Sequence, residues 1–114
     1  MRAIRFEAFG DPSVLHLSEV AAPAGDESTA VVRVMAASIN PSDVKNVAGA
    51  MEQTTLPRIP GRDFAGVVEA GPAAWIGAAV WGTGGDTGFT REGTHAEAVG
   101  AGAGAGLGSG TPGP

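Results

Sequence analysis

The sequence predicts a mainly β fold with one or two short helices, and three observations lead to this prediction. Short apolar runs that alternate with a period of two residues recur along the chain, and turn residues separate them. β-Branched valine recurs in these runs, and it favours strands. Glycine and proline are abundant, at 19 and 8 of 114 residues, which favours frequent tight turns. This combination is typical of a small barrel or sandwich.

Three strands are predicted in the first third of the chain. Residues 3–8 alternate, with Ile4 and Phe6 on one face, and this indicates a half-buried first strand. A second strand is predicted around residues 15–18, where two leucines alternate with polar residues. A third is predicted over residues 30–37, because valines recur on both of its faces.

A short helix and three further strands complete the predicted order. The segment Asn40-Pro41-Ser42-Asp43 has the residue types of a helix start, since Asn can cap free amides and Pro suits the first helical position. We therefore predict a helix over residues 42–49 that ends at Gly49. The later strands are predicted at residues 64–70, 78–82 and 94–99.

Two parts of different composition follow each other along the chain. Residues 1–99 have enough apolar side chains to form one domain. Residues 100–114 are almost entirely Gly, Ala, Ser, Thr and Pro, and Leu107 is their one large side chain. Such a segment buries too little surface to offset the entropy of ordering. We therefore predict a domain over 1–99 and a disordered tail over 100–114.

Composition excludes several classes of partner and site. The formal net charge of −5 argues against nucleic acid and anionic membranes as partners, because both need a basic surface. The chain has no cysteine, so it has no disulfide, thiolate nucleophile or Cys-based zinc site. No apolar run approaches the roughly 20 residues of a membrane span, and the N-terminus has no signal-peptide core. We therefore expect a cytoplasmic protein.

The most informative segment is residues 57–69. Prolines stiffen its approach, Gly61 permits a tight bend, and a strand with small residues follows. The glycine at position 66 leaves room for another backbone or for a ligand. Arg62 and Asp63 stand at the corner, where they could contact a substrate. A charged pair that faces solvent is the favoured alternative.

Three blocks of residues, in a fixed order, resemble a known family. They are residues 36–43 (AASINPSD), residues 60–68 (PGRDFAGVV), and residues 80–82 (VWG) followed by 93–97 (GTHAE). Together with the first strand, they make residues 1–99 similar to the N-terminal, GroES-like domain of the medium-chain dehydrogenase/reductase superfamily. Within it, the chain resembles the zinc-independent quinone oxidoreductase branch. The resemblance implies a GroES-like, partly open barrel.

The same resemblance bears on metal binding. Zinc-dependent members of the superfamily have a cysteine where Asn40 stands, and a His-Glu pair where Arg62 and Asp63 stand. An amide is a poorer zinc ligand than a thiolate, and a guanidinium cannot bind a cation. His16 and His95 have no ligand spacing between them. We therefore expect no metal site.

The resemblance implies an NADP-dependent oxidoreductase that transfers hydride from NADPH to a small quinone or an activated alkene. Asn40 is then the expected catalytic residue, as an amide donor near a carbonyl oxygen. Asn40 and Asp43 are the expected cofactor-binding residues, and Asp43 would also hold the loop and the helix start. Simple helix capping by Asn40 remains an alternative.

The resemblance ends near Val99, and relatives bind most of the cofactor in a second, Rossmann-type domain. We therefore expect this chain to be the substrate-side domain, which would not turn over alone, and its status as an enzyme stays open. A non-catalytic binding or assembly module of the same fold, such as a co-chaperonin, is the alternative. Self-association into a homo-oligomer is also left open.

Overall fold

The computed structural model describes residues 1–102 and 107–109, and this part of the chain contains seven strands and one α-helix. The strands are β1 (Arg2–Arg5), β2 (His16–Glu19), β3 (Thr29–Ala36), β4 (Asp63–Ala70), β5 (Ala79–Thr83), β6 (Ala98–Gly102) and β7 (Leu107–Ser109). Helix α1 spans Pro41–Val47 between β3 and β4, and 3₁₀ turns occupy Pro12–Val14 and Ala73–Trp75. None of the helices in these ranges has the length and apolar content of a membrane span.

Five of the strands form one antiparallel sheet in the order β6-β3-β4-β5-β7. This sheet curls into a half-barrel. Strands β1 and β2 form a separate antiparallel pair, and a single bridge between Ala3 and Ala96 connects it to the segment before β6. The predicted fold class, a mainly β and partly open barrel with short helices, is confirmed.

The main core cluster comes from the five-stranded sheet and is built from small and β-branched side chains together with Phe64. Its buried members are Ala30, Val32, Phe64, Val68, Val80 and Val99. Strand β4 shows the alternation that the sequence predicted, because every second residue from Phe64 to Val68 is buried. Between them, Gly66 lets β3 approach closely, since a Cβ there would lie 2.0 Å from the Arg33 carbonyl oxygen. The close neighbour of this glycine is therefore another backbone.

The buried residues of the first strand differ from those that the sequence predicted. Ala3 and Phe6 are the buried residues, whereas Ile4 is only half-buried. The chain leaves strand geometry after Arg5, and Phe6 exchanges two backbone hydrogen bonds of 3.0 Å with Arg58. Because the chain changes partners at this point, the period of two does not continue to Phe6.

The C-terminal part also differs from the prediction. The last strand before the predicted tail begins at Ala98 and continues to Gly102, which pairs with Thr29. Strand β7 pairs with β5 through Leu107 and Gly82. Ladder hydrogen bonds join main-chain groups, so they form without side chains to bury. The rest of the predicted tail, residues 103–106 and 110–114, lies outside the described residues.

Candidate functional site

The candidate site lies where three parts of the chain meet at one end of the sheet. These parts are the loop of residues 37–40 between β3 and α1, the first residue of β4, and the segment 93–97 before β6. They bring together Ser38, Asn40, Asp63 and His95. The structure thus brings three neighbours to Asn40, whose catalytic role stays a prediction.

The carboxylate of Asp63 holds the loop at two points. Its Oδ1 accepts the backbone N–H of Ser38 at 2.8 Å, and its Oδ2 accepts the side-chain nitrogen of Asn40 at 3.0 Å. Partial burial raises the pKa of Asp63. The hydrogen bonds from Asn40 and Ser38, together with nearby His95, lower it by more than burial raises it, so the pKa lies below the ordinary value. Asp63 is therefore a fixed carboxylate rather than a solvent-facing charge.

His95 holds the same loop from the other side. Its Nε2 lies 3.1 Å from the carbonyl oxygen of Ser38. A carbonyl only accepts hydrogen bonds, so Nε2 carries a proton in this contact. The sequence placed His95 on a strand, but it lies in a half-buried bend before β6. Gly61 makes room for it, since a Cβ at this glycine would lie 2.8 Å from the His95 ring.

Asn40 and Asp43 start helix α1 together. Asn40 is the N-cap residue, and Asp43 Oδ2 accepts its backbone N–H at 2.8 Å. Asp43 is almost fully buried, so it binds the Asn40 backbone from the interior of the domain. The amide nitrogen of Asn40 points to Asp63, and the residue as a whole is half-buried. Contact of Asn40 or Asp43 with a cofactor stays a prediction.

Arg62 points away from Asp63 and binds the glycine-rich loop after β5. Its guanidinium carbon lies 4.2 Å from the ring centroid of Phe89, a cation–π contact. Its Nη2 donates to the Gly85 carbonyl oxygen at 2.8 Å, and its Nε to that of Thr87 at 3.4 Å. Sequence reasoning missed this role. The available signal was Phe89, an aromatic residue in an otherwise small and polar loop.

Two cavities flank the loop of residues 37–40. The larger has a volume of about 730 Å³ and lies between α1 and the 3₁₀ turn that precedes β2, where Leu15, Val44 and Val47 make it mostly apolar. His95 and Asp43 also line it. The smaller, of about 420 Å³, is lined by Ser38, Asp63, Trp81 and Thr83, among others. Ala37 lines both cavities, so this loop forms the wall between them.

The side chains at this site also determine whether it can bind a metal ion. Within residues 1–102 and 107–109, no three His, Asp or Glu side chains gather closely enough to hold a metal ion. Asn40 and Arg62 stand where zinc-dependent relatives are expected to have metal ligands. Here the side chain of Asn40 binds Asp63, and that of Arg62 binds the Gly85 carbonyl. The donor set present here does not fit a zinc ion.

Comparison with known proteins gives one family and several relatives. A family model described as the alcohol dehydrogenase GroES-like domain matches residues 26–111. A curated relative, a zinc-type alcohol dehydrogenase-like protein of Schizosaccharomyces pombe, is 40% identical over 100 residues, which are 85% of this chain and 31% of the relative. The chain therefore spans about a third of the length of that protein.

Solved structures agree with this match. The quinone oxidoreductase of Coxiella burnetii superposes with a TM-score of 0.78 at 34% identity, over 90% of this chain and 35% of that protein. A mycobacterial protein solved in complex with NADPH superposes with a TM-score of 0.81 at 25% identity, over 97% of this chain and 32% of that protein. The half-barrel described above is thus also found in larger proteins.

Proposed function

Because the chain belongs to the alcohol dehydrogenase GroES-like domain family, we propose that it forms the substrate-side domain of an oxidoreductase that reduces a quinone or an enone with NADPH. The quinone oxidoreductase among its structural relatives supports the substrate class. The mycobacterial relative in complex with NADPH supports the cofactor. Since the chain spans only part of each relative, the activity of a whole enzyme is part of the proposal.

The observation that carries the proposal is the fixed amide of Asn40. Its nitrogen has two hydrogens, and Asp63 accepts one of them, so the second is free to bind the carbonyl oxygen of a substrate. An oriented dipole at that oxygen stabilises the negative charge that develops during reduction. NADPH, when bound, supplies the hydride.

The described residues fit only the reacting end of the cofactor. All pairs between the named strands of residues 1–102 and 107–109 are antiparallel, whereas a dinucleotide site is built on parallel strands. We assign the nicotinamide side to Asn40 directly and to Asp43 indirectly, because Asp43 holds the Asn40 backbone.

The cavities suit a small, neutral, ring-shaped substrate. The larger cavity is within the range of about 300–1,000 Å³ that ligand sites occupy, and apolar side chains line most of it. The polar groups are few and stand near the loop that carries Asn40. An apolar ring that bears a carbonyl oxygen matches this arrangement.

We further propose that the reaction uses no zinc. The zinc-type relative named above does not decide this point, because Asn40 and Arg62 differ in chemistry from metal ligands. Arg62 carries a positive charge, and two of its nitrogens donate to the carbonyl oxygens of Gly85 and Thr87. Chelators should therefore leave the activity unchanged.

The proposal is tested with both the 114-residue chain and the product of the complete reading frame that encodes it. NADPH oxidation is followed with 1,4-naphthoquinone and with 2-cyclohexen-1-one as acceptors. We expect turnover by the complete product, and we expect Asn40→Ala to reduce kcat/KM by about tenfold to a hundredfold. The matched control is Gln53→Ala, which removes an exposed amide outside the site.

Two outcomes would contradict the proposal. One is an absence of NADPH oxidation by the complete product with either acceptor. The other is an Asn40→Ala variant as active as the Gln53→Ala control, which would remove Asn40 from the reaction and leave it as a helix cap.

A further inference from the structure

We propose that Asp63 is a positioning residue that sets the orientation of the Asn40 amide. The orientation itself is independent of the proposed function, and its catalytic consequence rests on that function. The proposal starts from one contact, the 3.0 Å hydrogen bond between Asn40 Nδ2 and Asp63 Oδ2. Its two residues are 23 positions apart in the chain and are joined only by the fold.

The chemistry of the pair fixes which end of the amide faces Asp63. An ionised carboxylate has acceptor atoms and no donor, so it binds the amide nitrogen and repels the amide oxygen. The lowered pKa of Asp63 keeps it ionised at neutral pH. Rotating the Asn40 amide by half a turn would place two oxygens against each other. One orientation is therefore strongly favoured, and the second N–H points away from Asp63.

The second oxygen of Asp63 extends this control to the backbone. Oδ1 accepts the Ser38 N–H, and His95 Nε2 donates to the Ser38 carbonyl, so both main-chain polar groups of this residue are held. Asp63 itself is the first residue of β4 and pairs with Thr83 of β5. The loop that carries Asn40 is thus attached to the rigid sheet through one side chain. A catalytic group placed on a sheet keeps its geometry better than one that depends on a loop alone.

The role is one of position and not of proton transfer. A carboxylate whose pKa is lowered holds no proton to give at neutral pH, and its two oxygens already accept hydrogen bonds.

The direct test is nuclear magnetic resonance of the Asn40 side-chain amide in the 114-residue chain. In the wild type, we expect one of its two protons to be shifted downfield and to exchange slowly, because it binds a carboxylate. Asp63→Asn has one oxygen instead of two, so this signature should be lost. Glu69→Gln is the matched control, because it removes an exposed carboxylate from the same strand and should leave the signature intact.

A second measurement needs no variant and covers the case in which Asp63→Asn does not fold. As the pH falls, the Asn40 proton should move together with the Asp63 carboxyl carbon. His95 and Asp43 are the other titratable groups that face this loop, and their side-chain signals are followed in parallel so that their effects can be separated from that of Asp63. An Asn40 proton that ignores the Asp63 titration, or an unchanged signature in Asp63→Asn, would overturn the proposal.

The catalytic consequence is tested in the product of the complete reading frame with a double-mutant cycle. Asp63→Asn should lower kcat roughly tenfold, the loss expected from about 1.4 kcal/mol, with little change in KM. In the Asn40→Ala background it should have no further effect. Independent, multiplying losses would show that Asp63 does not act through Asn40. A complete absence of turnover would contradict the proposed function, while the resonance measurement would still decide the role of Asp63.

Discussion

At the scale of single residues, Gly61 combines a special backbone with close neighbours. Its φ is +104°, and a Cβ would lie 2.3 Å from the Thr94 hydroxyl oxygen. Gly77 has a similar φ of +85°, but nothing lies within 4 Å of its Cβ position. Comparing substitutions at these two glycines therefore separates the free-energy cost of a left-handed backbone from the cost of steric crowding.

We predict that Gly61→Ala destabilises the fold more than Gly77→Ala does. Both variants bear the left-handed backbone, which costs about 1–2 kcal/mol. Gly61→Ala should lose about 1–3 kcal/mol more, because Thr94 and His95 must move. Urea unfolding of both variants measures the difference. Equal losses of unfolding free energy would mean that the segment around His95 moves to accommodate the added methyl group at little cost.

The acid sensitivity of the fold should include a share from Asp63. Its pKa is lower in the folded chain than the value of about 3.9 expected when unfolded. The folded state therefore favours the carboxylate, and this stabilisation is complete above about pH 5 and is lost as the pH falls through 3.9 toward the native pKa. The unfolding free energies of the wild type and Asp63→Asn should converge in that range. A constant difference between about pH 6 and about pH 3 would contradict this assignment.

The sequence predicted part of the site and could not predict the rest. Asn40 was placed at a helix start because Pro, Ser and Asp follow it directly, and its expected role at the site came from the family resemblance. The partners of this loop are distant in sequence, since Ser38 and His95 are 57 positions apart. No local pattern indicates such a pair. Asp63 was assigned to solvent for the same reason.

At the scale of elements, one arginine contributes a cation–π contact and two hydrogen bonds to the loop between β5 and β6. Arg62 contacts the ring of Phe89 and donates to the carbonyls of Gly85 and Thr87. The loop also accepts hydrogen bonds from Asn46 Nδ2 at the Gly88 carbonyl and from the Thr55 N–H at the Phe89 carbonyl. The side chain of Arg62 thus supplies one of several tertiary attachments of the loop.

We predict that Arg62→Met loosens this loop and lowers stability by about 1–2 kcal/mol, from the lost cation–π contact and hydrogen bonds. Hydrogen exchange of the backbone amides in residues 84–91 should accelerate. Arg62→Lys keeps the charge but not the planar fork, so it should restore only part of the protection. Arg33→Met, at an exposed position of β3, is the control. Unchanged exchange in Arg62→Met would show that the backbone turns and the hydrogen bonds from Asn46 and Thr55 hold the loop without Arg62.

Strand prediction succeeded where a strand keeps its partners and failed where it does not. Strands β3, β4 and β5 were predicted within one residue at each end, because each has neighbours on both sides and a buried face. The first strand changes partner after Arg5. Strands β6 and β7 use glycine-rich segments, whose main-chain ladders leave no side-chain pattern.

At the scale of the whole molecule, several large apolar side chains are exposed. Ile39 is 79% exposed, and Met35, Val44 and Trp81 are each about half exposed or more. These residues surround the loop of the site or line its cavities. The net charge of −5 opposes association of such surfaces in the free chain.

We predict weak self-association that increases with salt, because screening removes the repulsion between acidic chains. Ile39→Ser should reduce it, whereas Ile76→Ser, an exposed position in the turn before β5, should reduce it less. Analytical ultracentrifugation at low and high salt measures this. A discrete assembly of seven chains in native mass spectrometry would instead favour the alternative of an assembly module.

The wall formed by residues 37 and 38 has a consequence for ligands. Ala37 borders both cavities, and the N–H and carbonyl of Ser38 are held by Asp63 and His95. A ligand that displaced this wall from one side would change the space on the other. Thermodynamic linkage then requires the effect to be mutual, so occupancy of either cavity alters the affinity of the other by the same factor. In this half-barrel, two ligands that are not in contact would therefore bind with coupled affinities.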